Sequence, residues 1–471
     1  MKEQKSVLII GAGISGLFLC LELCKKGKHV VLLEKNSVVG GIATSILYNG
    51  YSLDIGPHYV TLPKYSEITK NIMDIVGKDK IVQLPHDIRR SRKAYFHGKM
   101  WNEYPSIKQF LLKSGLKIWL RVIIDLIKVK IIYIKSHQVI SSKDYLISNY
   151  GKYLYDNWFK PYYHNIFFDK ELKKEEVEKK FPPLDVKKIF NVFRIKKQLQ
   201  KSNKEKINKE YFNCYFKGGM RTLVKGLEKE IIKNGGRIET DVDIKYIKRQ
   251  EYKKILFVQN NKHCEIESSA IVYALPLNIV KKWFSTKSEL LSENDEDNLL
   301  SSIMVFLFID KPKIFDKWII DVYDTDIIFW RISQQSFLSE SVTPPNKTLL
   351  NIEIRVKENS STWWLSDELL FNRVRSDLIK IGILNKQKIE NYKILKLRNL
   401  YPLDPNKINN EKVKKLINSL KNEYIIGTEL DTGTLISEIV ENNTSITRAG
   451  GVLTAIYNAK SLVKNIIPEI E

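Results

Sequence analysis

The stretch that most limits what this chain can fold into is Ser6-Val-Leu-Ile-Ile10, followed at once by Gly11-Ala-Gly13-Ile-Ser-Gly16. The apolar run is long enough for a fully buried strand, and Leu17 to Lys26 continue as an apolar-periodic helix ended by Gly27. His29 to Leu33 is a second buried strand, and Glu34 closes it. Each position has a physical task. Gly11 permits a tight turn, Gly13 lets the backbone approach a pyrophosphate, and Gly16 lets helix and strand pack closely. The pyrophosphate then sits on the helix N-terminus, where free N–H groups and the helix dipole favour an anion. Glu34 can accept both ribose hydroxyls, which disfavours a 2′-phosphate. A glycine triplet alone is weak, but strand, helix, strand and acid arrive here in order, which makes a Rossmann-type nucleotide site specific. The fingerprint by itself does not separate NAD from FAD.

The continuation separates them. Val39-Gly40-Gly41-Ile-Ala-Thr44 follows the acid directly, and Gly50-Tyr-Ser-Leu-Asp54-Ile-Gly56-Pro57-His58 comes next. With these residues the chain resembles the FAD-dependent amine oxidase and protoporphyrinogen oxidase superfamily, which includes carotenoid desaturases and UDP-galactopyranose mutase. The resemblance implies that the glycine pair approaches the ribityl-diphosphate and that the Asp-x-Gly-Pro segment runs beside the isoalloxazine ring. Ile42 stands where the family often has arginine.

Two later returns to the nucleotide sheet are expected. Tyr215-Phe-Lys-Gly218-Gly219-Met220 opens a helix, Arg221 to Lys233, closed by Gly235-Gly236. Strand-like Arg237 to Thr240 and Ile244 to Ile247, a hairpin from Lys254 to Glu267, and a buried strand from Ala270 stopped by Pro276 complete that section. Tyr424 to Gly427 and a helix from Val452 to Ile466, preceded by Gly450-Gly451, form the last return. By resemblance, Ile244 touches the adenine through its backbone, and Gly451 and Val452 turn a helix N-terminus toward the flavin N1–C2=O edge. The expected cofactor contacts are therefore Gly11, Gly13, Ile14, Ser15, Gly16, Glu34, Lys35, Gly40, Gly41, Gly56, Pro57, His58, Ile244, Gly427, Gly451 and Val452.

The chain is long enough for two domains. The fold class expected is α/β, a Rossmann-type FAD-binding domain with an interleaved α+β substrate domain. Residues 1–65, 212–280 and 422–471 are assigned to the first, and residues 66–211 and 281–421 to the second. Within the insertions, Ile107 to Lys135 reads as one long helix with Lys113, Lys117, Arg121, Asp125 and Lys128 on a narrow stripe. Its broad apolar face is read as buried in the substrate domain, with a membrane surface as the other placement. The aromatic segment from Tyr150 to Tyr163 is either a substrate wall or ordinary core. Ile327 to Arg331 and Leu349 to Arg355 read as strands whose polar ends face the flavin. Arg331 or Arg355 could clamp a carboxylate or diphosphate bidentately, or serve only the structure. His58 could orient substrate, bond the flavin or pack against it. These three are the candidate catalytic residues.

Composition narrows the remaining classes. The formal charge of +23 comes from lysine spread along the whole chain, and the dense run from Lys196 to Lys209 lacks interleaved aromatics, so no nucleic-acid partner is expected. No His/Cys metal spacing stands out, Cys20 and Cys24 fall one turn apart in an apolar helix, and no secretory leader or membrane span is read. A cytoplasmic enzyme is expected, in peripheral contact with the inner membrane face if with any. It would act on a small molecule such as an amine or a nucleotide sugar. Two activities stay open: hydride transfer from a substrate C–H to flavin N5, and a redox-neutral sugar-nucleotide mutase reaction.

Overall fold

The computed structural model describes residues 6–129, 141–167, 177–178, 181–182, 211–249, 253–276, 279–280, 299–385, 389–402, 422–426 and 452–470. Five parallel strands form the nucleotide sheet, in the spatial order Arg237–Glu239, Val30–Leu33, Val7–Ile10, Ala270–Tyr273 and Glu423–Ile425. Taken in chain order this is 3-2-1-4-5. The winding reverses beside Val7–Ile10, and the crevice above such a reversal is where open α/β sheets bind ligands.

Both faces of this sheet are covered, which is why its three central strands, Val30–Leu33, Val7–Ile10 and Ala270–Tyr273, are apolar throughout. Val7, Ile9, Val30, Leu32, Ala270 and Val272 point into one core with the helices Ile14–Lys25, Arg221–Lys233 and Val452–Ile470. Leu8, Ile10, Val31, Leu33, Ile271 and Tyr273 point the other way, onto a three-stranded antiparallel meander of Val242–Arg249, Lys253–Gln259 and Lys262–Ser268. The strands, the helix Arg221–Lys233 and the hairpin lie where their periodicity put them, within a few residues. The helix Glu67–Val76 also belongs to the first core through Ile68, Ile72 and Val76.

A seven-stranded mixed sheet builds the rest, in the order Ile389–Pro402, Leu299–Ile309, Thr348–Val356, Arg331–Gln334, Ile319–Val322, Arg92–Phe96 and Lys99–Trp101. Its outer face carries Ile303, Val305, Ile320, Ile332, Ile352 and Ile354, packed with the helix Asp367–Lys380 through Leu370, Val374 and Leu378. Its inner face, through Met304, Phe306, Phe308 and Leu349, packs on Tyr51 and Leu53.

Two expectations about the insertions are corrected. The single helix over Ile107 to Lys135 is two helices, Ile107–Lys113 and Leu116–Lys128, with residues 130–135 outside the described residues. Ser114 ends the first, and Gly115 at φ 77° starts the second in a left-handed conformation that suits glycine. The strand expected over Ile327 to Arg331 begins only at Arg331, because Asp324 to Trp330 form the connection between two antiparallel neighbours. The aromatic segment is helical, with a π turn at Tyr155–Phe159. It buries Trp158 and Phe159 in a third core, with Tyr162 and Tyr163 packed against its side.

Candidate functional site

The fingerprint builds a cradle from backbone alone. Gly13 precedes the helix Ile14–Lys25 with no side-chain cap and no acid in the first turn. The N–H of Leu17 donates to the carbonyl of Gly13, leaving the N–H groups before it directed out of the helix end. Those N–H groups belong to Ile14, Ser15 and Gly16, which explains why residues otherwise buried at the helix start fit a cofactor-contact role.

The three glycines differ in what a side chain would meet. At Gly16 a Cβ would lie 2.1 Å from the Gly11 carbonyl oxygen, and at Gly11 it would lie 2.5 Å from the Ala274 carbonyl oxygen. Both are sealed by the protein's own backbone. At Gly13 a Cβ would meet nothing within 4 Å. Gly13 therefore faces open space, which is where a diphosphate would approach.

Glu34 closes the cradle. Its carboxylate accepts the Ala12 N–H at 2.9 Å on one oxygen, and the Asn36 N–H and side-chain amide at 3.0 and 2.8 Å on the other. Ribose hydroxyls would share the acid with Ala12 and Asn36. The Gly40 N–H donates to the Ala12 carbonyl at 2.7 Å, which brings the Gly40-Gly41 turn against Gly13. Val242 N–H donates to the Glu34 carbonyl, so the segment leading to half-buried Ile244 starts beside the same acid. Lys35 follows Glu34 with its side chain exposed, and Val452 is buried at the start of the last helix. Gly427 and Gly451 lie outside the described residues.

From the cradle the chain runs through the hairpin Ser45–Tyr48 and Tyr51–Asp54 to Gly56-Pro57-His58. Asp54 anchors that run. Fully buried, it accepts the Ser45 hydroxyl at 2.5 Å, the Tyr215 hydroxyl at 2.6 Å and the Met220 N–H at 3.3 Å. Burial pushes its carboxyl up to about 6 against the pull of these donors. The Gly218-Gly219 turn closes over it, and a Cβ on Gly219 would fall 2.9 Å from the acid and 2.5 Å from the Ser52 hydroxyl.

Beyond Asp54 the segment meets the inner face of the seven-stranded sheet. Asn351 donates to the Asp54 carbonyl at 3.2 Å, and Gln335 to the Gly56 carbonyl at 3.5 Å. A Cβ built on Gly56 would touch both the His58 ring, at 3.4 Å, and a carboxylate oxygen of Glu353, at 3.8 Å. Burial pulls the His58 imidazole down to about 4 and pushes the Glu353 carboxyl up, while Arg331 and Arg355 draw the acid back down. Glu353 lies 3.9 Å from Arg331, whose Nε donates to Asp321 at 3.0 Å; Arg92 holds the other Asp321 oxygen at 2.6 Å. Arg331 and Arg355 both stack on Trp330, with guanidinium carbons 3.7 and 3.6 Å from the ring centre, and Arg355 also donates to the Asn165 carbonyl. His58, Arg331 and Arg355, the three candidate catalytic residues, thus line one wall.

That wall holds shielded polar atoms without a hydrogen-bond partner: His58 Nδ1, Gln335 Oε1, Asn351 Oδ1, Glu353 Oε1 and the Trp330 indole N–H. Buried polar groups are normally satisfied, so such a cluster has room for partners from water or a ligand. A flavin fits these residues: an anion cradle at Gly13, an acid for ribose, and unsatisfied donors and acceptors at the ring end. Glu353, Asp321, Trp330 and Gln335 were not foreseen. One signal was available, since Asn351, Glu353 and Arg355 occupy alternate positions of an otherwise apolar strand and so share a face. Among the described residues no group of His, Cys, Asp and Glu is arranged to hold a metal ion.

Residues 9–76 match the family described as NAD(P)-binding Rossmann-like domain. A 4,4'-diaponeurosporene oxygenase of Staphylococcus haemolyticus is 30% identical over 111 residues, covering 23% of this chain and 22% of that protein. A 1-hydroxycarotenoid 3,4-desaturase of Flavobacterium sp. is 48% identical over 60 residues, 13% of this chain and 12% of the relative. The matched stretches thus span about a fifth or less of these relatives' length. Among solved structures, reduced UDP-galactopyranose mutase superposes with a TM-score of 0.65 at 15% identity over 89% of both chains. A candidate protoporphyrinogen oxidase from Exiguobacterium sp. superposes with a TM-score of 0.66 at 14% identity over 99% of both. At such identities the likeness is one of fold. Residues 9–76 are thus similar to an NAD(P)-binding Rossmann-like domain, and the chain as a whole has the mixed α/β fold of these two solved structures.

Proposed function

We propose that this chain is an FAD-dependent oxidoreductase that moves a hydride from a substrate C–H to flavin N5. The observation that carries the reading is the path of residues 40–58. They leave the nucleotide cradle at Gly40 and end at His58 against a wall of unsatisfied polar atoms. Bound flavin would supply the hydride acceptor. The protein's part is to bind, orient and shield. The N–H groups of Ile14 to Gly16 take the diphosphate, Glu34 takes the ribose, the backbone at Ile244 takes the adenine, and the Gly40-Gly41 turn lines the ribityl chain. Gly56, Pro57 and His58 would hold the ring, and Gly427, Gly451 and Val452 would complete the contact set. His58, kept neutral by burial, presents a ring nitrogen that can accept or donate one hydrogen bond without adding charge. Residues 1–65, 212–280 and 422–471 serve the cofactor, and the two insertions shape the pocket for a small-molecule substrate on the cytoplasmic side.

A second reading, the redox-neutral rearrangement of a nucleotide sugar, draws on Arg331 and Arg355 bracketing Trp330. Two fixed guanidinium groups on one wall suit a diphosphate. The test is spectroscopic. Purified protein is expected to be yellow and to release FAD on denaturation, and amines, carotenoids and nucleotide sugars are then screened for bleaching of the bound flavin. Bleaching by a substrate without added reductant supports the oxidoreductase, and turnover only after dithionite supports the mutase. A colourless protein that stays apo in saturating FAD overturns both.

A further inference from the structure

We propose that Glu353 is the proton acceptor of the wall, taking up a proton at its free carboxylate oxygen as hydride leaves the substrate. The inference rests on the oxidoreductase reading and adds to it the fate of the second hydrogen. When a C–H bond gives its hydride to the flavin, a neighbouring N–H, O–H or C–H bond must also break. Its electron pair forms the new double bond of the product, and its proton is left over. That proton needs a base and no further oxidant.

The wall and the junction leading to it hold three buried acids, Asp54, Asp321 and Glu353. Two of them are committed. Asp54 accepts the Ser45 and Tyr215 hydroxyls and the Met220 N–H, and Asp321 accepts Arg331 at 3.0 Å and Arg92 at 2.6 Å. Glu353 is 1% exposed, its Oε1 has no hydrogen-bond partner among the described residues, and its Oε2 meets Arg331 only at 3.9 Å. Its charge is balanced from a distance while no donor occupies Oε1, so that oxygen stays basic.

Oε1 also faces the right place. It borders the space that a side chain would fill at residue 56, 3.8 Å from a Cβ built there, and the His58 ring borders the same space at 3.4 Å. Gly56, at φ 96°, keeps that space free of a side chain. The charges facing Glu353 are Arg92, Arg331 and Arg355 against Asp321, drawn from four strands. The guanidinium groups favour the carboxylate, and burial favours the acid. Negative charge added to a neighbouring ring moves that balance toward the acid. His58 is the poorer base, since burial already pulls its imidazole down to about 4.

The test needs no substrate. Full-length protein loaded with FAD is reduced electrochemically over roughly pH 6 to 8, and the slope of midpoint potential against pH counts the protons taken up per electron pair. Glu353→Gln is expected to hold FAD and unfold like the parent, yet to take up one proton fewer. Reduced-minus-oxidised infrared spectra of the parent should show a new protonated-carboxyl band that isotope-labelled glutamate shifts. Glu353→Gln should lack that band, and His58→Gln should keep both the band and the proton count. Equal proton counts in parent and Glu353→Gln overturn the proposal and leave the cofactor reading standing, as does a proton lost with His58→Gln instead. If Glu353→Gln cannot hold FAD, the parent still decides, because absence of a labelled carboxyl band there overturns the proposal. A parent that takes up no FAD overturns the cofactor reading, and the proposal falls with it.

Discussion

The cradle at Gly11–Gly41 and the wall at Gly56, His58 and Glu353 are two ends of one candidate site, and they are made by opposite means. The cradle is backbone. Its recognition groups are N–H donors at a helix end, and its glycines keep side chains out of the way. The wall is side chain, and it assembles the loop after Asp54 with strands from three places in the second half of the chain. A backbone site tolerates almost no change in residue type at its glycines. A side-chain wall can change its residues and keep its shape.

The sharpest way to break that contrast is to add one methyl at either of two glycines. Gly16→Ala forces a carbon to 2.1 Å from the Gly11 carbonyl, and the helix cannot move away without opening the core around Leu17 and Leu19. We expect insoluble protein, or a cooperative transition lowered by more than about 4 kcal/mol, which only a few mechanisms produce. Gly13→Ala meets only open space. The apo protein should unfold at the parent's temperature while its flavin content falls sharply, because the methyl occupies the approach of the diphosphate. Equal stability losses in both variants would show that Gly13 is there for packing.

Glu34→Ala comes next. If Glu34 takes the ribose as proposed, the change removes a charge-assisted acceptor worth about 1.5–3 kcal/mol, so FAD affinity by fluorescence titration should drop roughly tenfold or more. Because the acid also holds Ala12 and Asn36, Glu34→Gln separates its two tasks. The amide can keep the Ala12 bond and loses the charge, so its affinity should fall between parent and alanine. Unchanged affinity in both variants would place the ribose elsewhere.

The two ends were unequally legible in the sequence, for the same physical reason. Gly11, Gly13, Gly16 and Glu34 lie within one strand-helix-strand unit, and the distances that matter follow from local geometry. The nucleotide sheet was legible too, since Val7–Ile10 and Ala270–Tyr273 are buried on both faces and read as unbroken apolar runs. Glu353 has no such local sign. Its place beside Gly56 depends on the register of Thr348–Val356 against Arg331–Gln334, across nearly three hundred residues of chain from Gly56. The break at Gly115 was visible as a residue, but the apolar period on both sides of it continued, and periodicity outweighed one glycine. The broad apolar face of that helix was legible, but its burial was not: Leu120, Ile123, Ile124 and Ile127 stand exposed, because periodicity shows that a face is apolar and not what covers it.

The smallest expected effect in the parent protein comes from the junction between the two ends, where Asp54 and His58 titrate in opposite senses. The carboxyl of Asp54 is raised to about 6. The folded state therefore holds its proton at a pH where the unfolded chain, near 3.8, has released it, so Asp54 adds stability as pH falls from above 6 toward 4. The imidazole of His58 is lowered to about 4. The unfolded chain, near 6.5, binds that proton first, so His58 removes stability over the same fall. Between pH 7.5 and 4.5 each effect is on the order of 2 kcal/mol, from the two shifts at about 1.36 kcal/mol per unit, and the two have opposite signs. They therefore oppose each other in the parent. Asp54→Asn should expose the histidine, and its stability relative to the parent should fall by about 2 kcal/mol on acidification. His58→Gln should expose the acid and show the reverse. Urea unfolding of the three proteins at both pH values checks this. If both variants track the parent at each pH, Asp54 and His58 titrate in the folded protein as they do in the unfolded chain, and the junction is open to water.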